Sequence, residues 1–272
     1  MRSSQLKQIA FGLRLDVLKM IKASKSGHIG GSMSCMDILT ALYHEVIDTE
    51  KIIASHQDRD RFILSKGHCA EALYAVLAGK GFFSKAELMK FGSFDTLFAG
   101  HPSRKIPGVE ASTGALGHGL SIGAGMAAGL KNTSVNVYVL MGDGELAEGS
   151  VWEAAMSAAK YKLRNLAAII DRNKLQISGK TEEVMPLENL ADKFTAFGWD
   201  VRSCNGHEPK EIVQNLTVNR SYDKPLAVIA ETIKGYGSKI MENKSEWHHH
   251  IPNDIEYEQI KADLMQRRDN CV

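Results

Sequence analysis

Three short apolar runs, separated by stretches of helical periodicity, restrict what this chain can fold into. Val135 to Met141 is apolar apart from Asn136, Leu166 to Ile170 follows, and Leu226 to Ile233, apolar apart from Glu231 and Thr232, comes last. A strand without a polar face is covered on both sides. Residues 149–162, 188–197 and 208–216 repeat apolar side chains at helical spacing between and beside these runs. Strands alternating with helices read as βαβ crossovers, so the expected fold is α/β, a parallel β-sheet flanked by helices. Ligands in such sheets sit beyond the carboxyl ends of the strands. Arg61–Leu64 and Gly198–Arg202 read as two shorter strands. An amphipathic stripe over residues 4–22 predicts a first helix, a glycine loop at Ser26–Gly31 breaks it, and residues 34–47 return to helical spacing. Residues 92–118 read as irregular, and residues 254–267 as a closing helix. The segment 119–130 is helical but rich in glycine, which weakens an isolated helix. Such a helix is expected to lie close against a neighbouring element or protein chain.

Composition excludes several classes. Lys+Arg 33 balances Asp+Glu 32, so there is no electrostatic footprint for nucleic acid or an anionic membrane. No apolar stretch approaches the roughly 20 residues of a membrane span. Asp16 and Lys19 interrupt the apolar residues near the N-terminus, which argues for an ordinary first helix over a targeting segment. Cys35, Cys69, Cys204 and Cys271 are far apart and form no CxxC pair. They read as reduced thiols in a cytoplasmic protein.

Two strand ends carry chemistry. One run ends in Met141-Gly142-Asp143-Gly144-Glu145, the next in Ile170-Asp171-Arg172-Asn173-Lys174-Leu175. If these strands are neighbours, Asp143 and Asn173 share a rim. Mg²⁺ takes hard oxygens, with few carboxylates and several phosphate or water oxygens. One aspartate, one asparagine amide oxygen and a backbone carbonyl near Leu175 would leave positions for a diphosphate. Gly142 and Gly144 would let the backbone approach it, with the Gly144 amide as donor. Gly-Asp-Gly alone also describes a capped tight turn; the asparagine 29 residues beyond Gly144 makes the metal–diphosphate reading the stronger.

Histidines form a second group. His28, His68, His101 and His118 each sit in a glycine-flanked loop, and His248, His249 and His250 follow Trp247. Loops converging on one rim would bring together groups able to shuttle protons near neutral pH. Zinc ligation fits less well, because none of the four isolated histidines has a second His or Cys at ligand spacing.

On these residues the chain resembles the N-terminal, thiamine diphosphate-binding part of transketolases. The resemblance runs through SGHIGGS (26–32), DRDRFILSKGHCAEALY (58–74), AGHPSRKIPGVEASTGALGHGLSIGAGMA (99–127), GDGELAEGSVWEA (142–154), IIDRNKLQISG (169–179), FGWDV (197–201) and ETIKGYGS (231–238). It implies that Asp143, Asn173 and the Leu175 carbonyl bind Mg²⁺ or Ca²⁺, and that Gly142, Gly144 and His68 meet the diphosphate. Gly114 and Leu116 would lie beside the cofactor. His28, His101 and His248 would line the substrate channel as catalytic residues, with His249 the alternative to His248. Glu148 would join a carboxylate network at a subunit interface that links paired cofactor sites, supported by Glu153. The chain departs from the pattern at His118, Ala115 and Ile29, where many members have Gln, Pro and Pro.

The resemblance also implies an absent half. In the family, a glutamate that contacts the aminopyrimidine ring lies on a later domain, across a subunit boundary. Residues 1–272 show no second glycine-rich α/β half. The expectation is therefore a single diphosphate-binding domain, with the pyrimidine-binding and C-terminal domains on a partner chain in an α₂β₂ assembly. Sugar phosphates would be the substrates, with sulfonated sugars as a further candidate class. The competing readings are a subunit of a deoxyxylulose-phosphate synthase-like enzyme or 2-oxo-acid dehydrogenase, a non-catalytic regulatory or scaffolding subunit, and a piece of a longer enzyme.

Overall fold

The computed structural model describes residues 1–218 and 220–271. The chain enters through α1 (Ser3–Ser24), α2 (Ile29–Ser34), α3 (Met36–Ala41) and α4 (Thr49–Ile53), which precede β1 (Arg61–Leu64). Next come α5 (Ala70–Gly79), α6 (His118–Gly129), β2 (Val137–Gly142), α7 (Gly149–Lys160) and β3 (Leu166–Arg172). A hairpin of β4 (Leu175–Gln176) and β5 (Gly179–Lys180), then α8 (Thr181–Val184) and α9 (Leu190–Ala196), lead to β6 (Asp200–Asn205). Then α10 (Pro209–Thr217), β7 (Leu226–Glu231) and α11 (Asp254–Asp269) follow.

The main sheet has the order β1-β2-β3-β7-β6, and every neighbouring pair is parallel. The chain steps from β1 to β3 in one direction, crosses to the far edge at β6, and returns to β7. Right-handed crossovers then place α6, α7 and α9 of the outward steps on one face and α10 of the return step on the other, where α5 joins it. Alternation along the strands divides the core accordingly. Tyr138, Leu140, Ala167 and Ile169 pack with residues of α1, α3, α5 and α10. Val139, Met141, Ala168 and Ile170 pack with residues of α6, α7 and α9. The fully apolar strands are thus buried on both faces, as their composition requires. The edge strand β6 keeps polar Arg202, Ser203 and Asn205 on its accessible positions. Among the described residues no helix is long and apolar enough to cross a membrane, and all four cysteines are free thiols.

Three local expectations change. Ile29–Gly31 belong to a helix, so the glycine break ends at His28. Residues 34–47 are not one helix: Cys35, near φ −87° and ψ 0°, separates α2 from α3, and Leu42–Val46 widens into a π-type turn closed by Ile47 N–H on the Leu42 carbonyl at 2.9 Å. The β4–β5 hairpin is invisible to periodicity because each strand is two residues long.

The glycine-rich α6 packs as its composition demands. A Cβ at Gly119 would collide with Ser65, and one at Gly123 would stand 2.5 Å from Val139 Cγ2. Gly125, on the same helix, faces open space. We expect Gly123→Val to lower the unfolding free energy by about 1–3 kcal/mol through overpacking. Gly125→Ala should leave stability unchanged or raise it by up to about 1 kcal/mol. Equilibrium denaturation of the two variants measures the contrast.

Candidate active site

The carboxyl ends of β1, β2 and β3 open into a cavity of about 370 Å³. Gly142 pairs opposite Asp171, so Asp143 and Asn173 leave neighbouring strands side by side and both line the cavity. Asp143 Oδ1 accepts from Gly144 N–H at 2.8 Å, and Oδ2 accepts from Lys174 N–H at 2.6 Å and the Arg172 guanidinium at 3.2 Å. The Asn173 amide oxygen accepts from Leu175 N–H at 3.1 Å, which curls the chain so that Leu175 also reaches the wall. Burial, then the charge of Asp171, pushes the Asp143 carboxyl up to about 6 in spite of these donors. A cation beside it would favour the ionised form. A carboxylate, a carboxamide oxygen and a main-chain carbonyl on one cavity form a hard-oxygen set that fits Mg²⁺ or Ca²⁺.

Positive charge lines the same space. Lys66 is buried, forms an ion pair with Asp171, and donates to the Gly31 carbonyl at 3.3 Å. Asp171 also accepts from the Ser34 hydroxyl at 2.6 Å and from Thr232. Lys234 donates to the Leu175 carbonyl at 3.3 Å, and its Nζ lies 2.9 Å from His248 Nδ1. Burial, then the charge of Lys66, pushes Lys234 down to about 8. No carboxylate among the described residues pairs with Lys234, so its charge is available to an anionic ligand.

Imidazoles form the remaining wall. The His28 ring centroid lies 5.3 Å from His68, 5.5 Å from His248, 4.7 Å from His249 and 6.4 Å from His101. Burial is the main cause that pushes His28 down to about 4, with neighbouring histidines adding to it. Burial, then Lys234, pushes His248 down to about 3, and His101 is also lowered by burial. The His28, His248 and His101 rings are uncharged at neutral pH. His28 Nδ1 is buried without a hydrogen-bond partner, an open valence for a ligand.

The structure brings most of the sequence-predicted residues together. His28, His68, His248, Gly114, Leu116 and Gly144 line the cavity with the oxygen donors. Gly114, at φ +156°, lies so close to His101 that a Cβ would stand 3.1 Å from its ring. His101 is exposed beside the wall, its ring 6.4 Å from His28, and His249 packs on His28 while His248 faces the cavity. Three residues lie elsewhere. His118 is exposed, with Nδ1 3.2 Å from the carbonyl of Leu116, so the glycine-flanked histidines converge as three and not four. Glu148 is exposed at the N-cap of α7 and does not touch the cavity; Glu153 is exposed on the same helix.

Sequence reasoning assigns no role to Lys66, Lys234, Asp171 or Glu145. Glu145 is buried and binds Ser65, Gly117 N–H at 2.8 Å and Gly142 N–H at 3.1 Å, tying three loops beneath the cavity. The two lysines lie within motifs already noted, Ser-Lys-Gly-His and ETIKGYGS. Only their burial separates them from ordinary surface lysines.

Residues 6–267 match the family model described as transketolase, thiamine diphosphate binding domain. The chain belongs to the transketolase family. It is 47% identical over 257 residues to one of the subunits of the apulose-4-phosphate transketolase of Phocaeicola vulgatus, covering 93% of this chain and 92% of that one. It is 41% identical over 226 residues to the 6-deoxy-6-sulfo-D-fructose transketolase subunit SqwG of a Clostridium species, covering 82% of each. Human transketolase is 37% identical over 246 residues, which are 89% of this chain and 39% of the human one. The transketolase of Campylobacter jejuni superposes with a TM-score of 0.87 at 28% identity, covering all of this chain and 46% of that one. The chain thus spans less than half of the solved transketolases and most of the length of the separate subunits. Its parallel sheet with flanking helices is the thiamine diphosphate-binding fold of transketolases, and the relatives that it covers over most of their length are named as separate transketolase subunits.

The low value of His28 has a consequence for stability. The ordinary value is 6.5, so as pH falls from 6.5 toward 4 the unfolded chain takes up a proton that the folded chain refuses. Stability from this residue is therefore complete above about 6.5 and is lost as pH falls toward 4. Glu71 and Asp143, raised to about 7 and about 6, act in the opposite direction, so only a variant comparison isolates His28. We expect His28→Gln to lose less stability than the wild type over this window, as measured by thermal melting across pH.

Proposed function

We propose that this chain is the diphosphate-binding subunit of a two-chain transketolase that moves a two-carbon ketol unit from a ketose phosphate to an aldose. The observation that carries the reading is the composition of one cavity. Hard oxygen donors, a lysine that pairs with no carboxylate among the described residues, and the uncharged imidazoles of His28 and His248 line one space. The oxygens and the lysine suit a metal–diphosphate; the imidazoles suit the hydroxyl and carbonyl oxygens of a sugar.

Asp143, Asn173 and the Leu175 carbonyl would hold Mg²⁺ or Ca²⁺. Gly144 N–H, His68 and Lys234 would bind diphosphate oxygens, with Gly142 allowing close approach and Gly114 and Leu116 flanking the rings. Thiamine diphosphate, when bound, supplies a carbon nucleophile for cleaving the bond beside a ketone. His28, His101 and His248 orient the sugar through hydrogen bonds and hold or pass protons at its hydroxyl oxygens. Buried neutral donors aimed at an oxygen that gains charge also stabilise it without reorganising.

The residues for the aminopyrimidine side, including the activating glutamate, belong on a partner chain. Relatives covered over 92% and 82% of their own length are named as transketolase subunits, which supports this division. Exposed Glu148 and Glu153 suit an interface between copies, and we assign the assembly as α₂β₂ in the cytoplasm. The sugars in the relatives' names make apulose-4-phosphate the first donor to assay and 6-deoxy-6-sulfo-D-fructose the second.

The test combines the chain with the product of its genomic neighbour, thiamine diphosphate and Mg²⁺. Ketol transfer by the pair and none by either chain alone is expected; full turnover by this chain alone refutes the two-chain reading. Asp143→Ala should abolish Mg²⁺-dependent cofactor binding in calorimetry, and an unchanged affinity refutes the metal assignment. Lys234→Met should weaken cofactor binding by about tenfold, the scale of one lost charge-assisted contact.

A further inference from the structure

Glu71 is a fully buried carboxylate in the first turn of α5, and no lysine, arginine or histidine among the described residues forms an ion pair with it. Burying a carboxylate without a counter-charge is costly. What Glu71 touches explains why it is there. Its Oε1 accepts the main-chain N–H of His28 at 2.8 Å, and its Oε2 accepts the Ser32 hydroxyl at 3.1 Å. The carboxylate lies so near Gly27 that a Cβ there would stand 2.5 Å from Oε1, and Gly27 takes φ +141°. The approach to His28 is therefore shaped around Glu71.

The same helix holds a second histidine. Tyr74, three residues on and on the same face of α5, has its hydroxyl 2.9 Å from the Ala99 carbonyl and 3.0 Å from the His101 carbonyl. His68 sits in the turn Gly67–Cys69 that leads directly into α5. One rigid element thus carries one imidazole and grips the main chain of two others.

We propose that Glu71 is a positioning residue: by holding the His28 main chain against α5, it sets the spacing of His28 and His101 with which the sugar is gripped. This rests on the reading of the cavity as a transketolase sugar channel. Glu71 faces His28 from the preceding loop, Ser32 from α2, and Cys69 and Tyr74 from its own helix and lead-in. Burial, then Cys69, pushes its carboxyl up to about 7, so its charge changes within the working range of an enzyme. His28, the imidazole whose main chain it holds, does not titrate there: burial holds it at about 4.

The experiment compares Glu71→Leu and Glu71→Gln in the reconstituted pair. Leucine removes the acceptor, so KM for the ketose donor should rise by about tenfold, a scale consistent with sub-ångström misplacement, while the cofactor Kd stays unchanged. Glutamine keeps an oxygen for the His28 N–H and should restore KM, yet it should erase any limb near pH 7 in kcat/KM. A wild-type KM in Glu71→Leu overturns the proposal. If that variant does not fold, Glu71→Gln decides alone, and a wild-type pH profile overturns it. Amide hydrogen exchange of His28 needs neither partner nor substrate. It should be at least about tenfold faster in the leucine variant, because the acceptor is gone, and an unchanged rate overturns the contact. Absence of ketol transfer by the wild-type pair would sink the two-chain reading without altering that exchange result.

Discussion

The buried pair of Lys66 and Asp171 is the constraint on which the site depends. Asp171 stands at the end of the central strand β3, and its oxygens gather Lys66 from the turn after β1, Ser34 from α2, and Thr232 just beyond β7. Breaking a buried ion pair by removing one partner is far more damaging than never having built it. The four segments are therefore locked beneath the cavity at a point where helix packing alone would leave loops. Asn173, two residues further, inherits its placement, since its Nδ2 lies 3.4 Å from the same carboxylate.

Above that lock, the cavity separates two kinds of polarity by distance along the strand ends. Asp143 and the β4–β5 hairpin collect oxygen atoms, while α5 with its lead-in collects imidazoles. Glu145 keeps the halves in register by binding Gly142 on one side and Gly117 on the other. The glycine helix α6 could not come this close to Ser65 with a side chain at Gly119, nor to Val139 with one at Gly123. The small residues that weaken α6 as a helix thus let the strand ends and the loop before α6 meet.

How much of this is legible in the sequence follows from what each part asks of its residues. β2, β3 and β7 are readable because strands covered on both faces must be apolar throughout. Asp143 and Asn173 are readable because strand ends point at ligands in parallel sheets. The segment 34–47 misleads because helical spacing persists across Cys35 and Leu42–Val46, where only the backbone changes. His118 misleads because flanking glycines permit a sharp turn without deciding which way the ring faces. Lys66 and Asp171 escape notice because, in a string of letters, a buried ion pair is indistinguishable from two solvated charges 105 residues apart. Glu71 is the one charged residue in the otherwise apolar stretch of α5, and only the structure shows what it touches there.

The contact between Lys234 and His248 reaches further than its 2.9 Å. A lysine ammonium has hydrogens to give and no lone pair to offer. His248 Nδ1 must therefore accept, and the ring's one hydrogen is confined to Nε2. A neutral imidazole ordinarily exchanges freely between two tautomers; here a single lysine selects one. While Lys234 is protonated, the side of the ring away from it is a donor, and any group that meets it there must bring a lone pair.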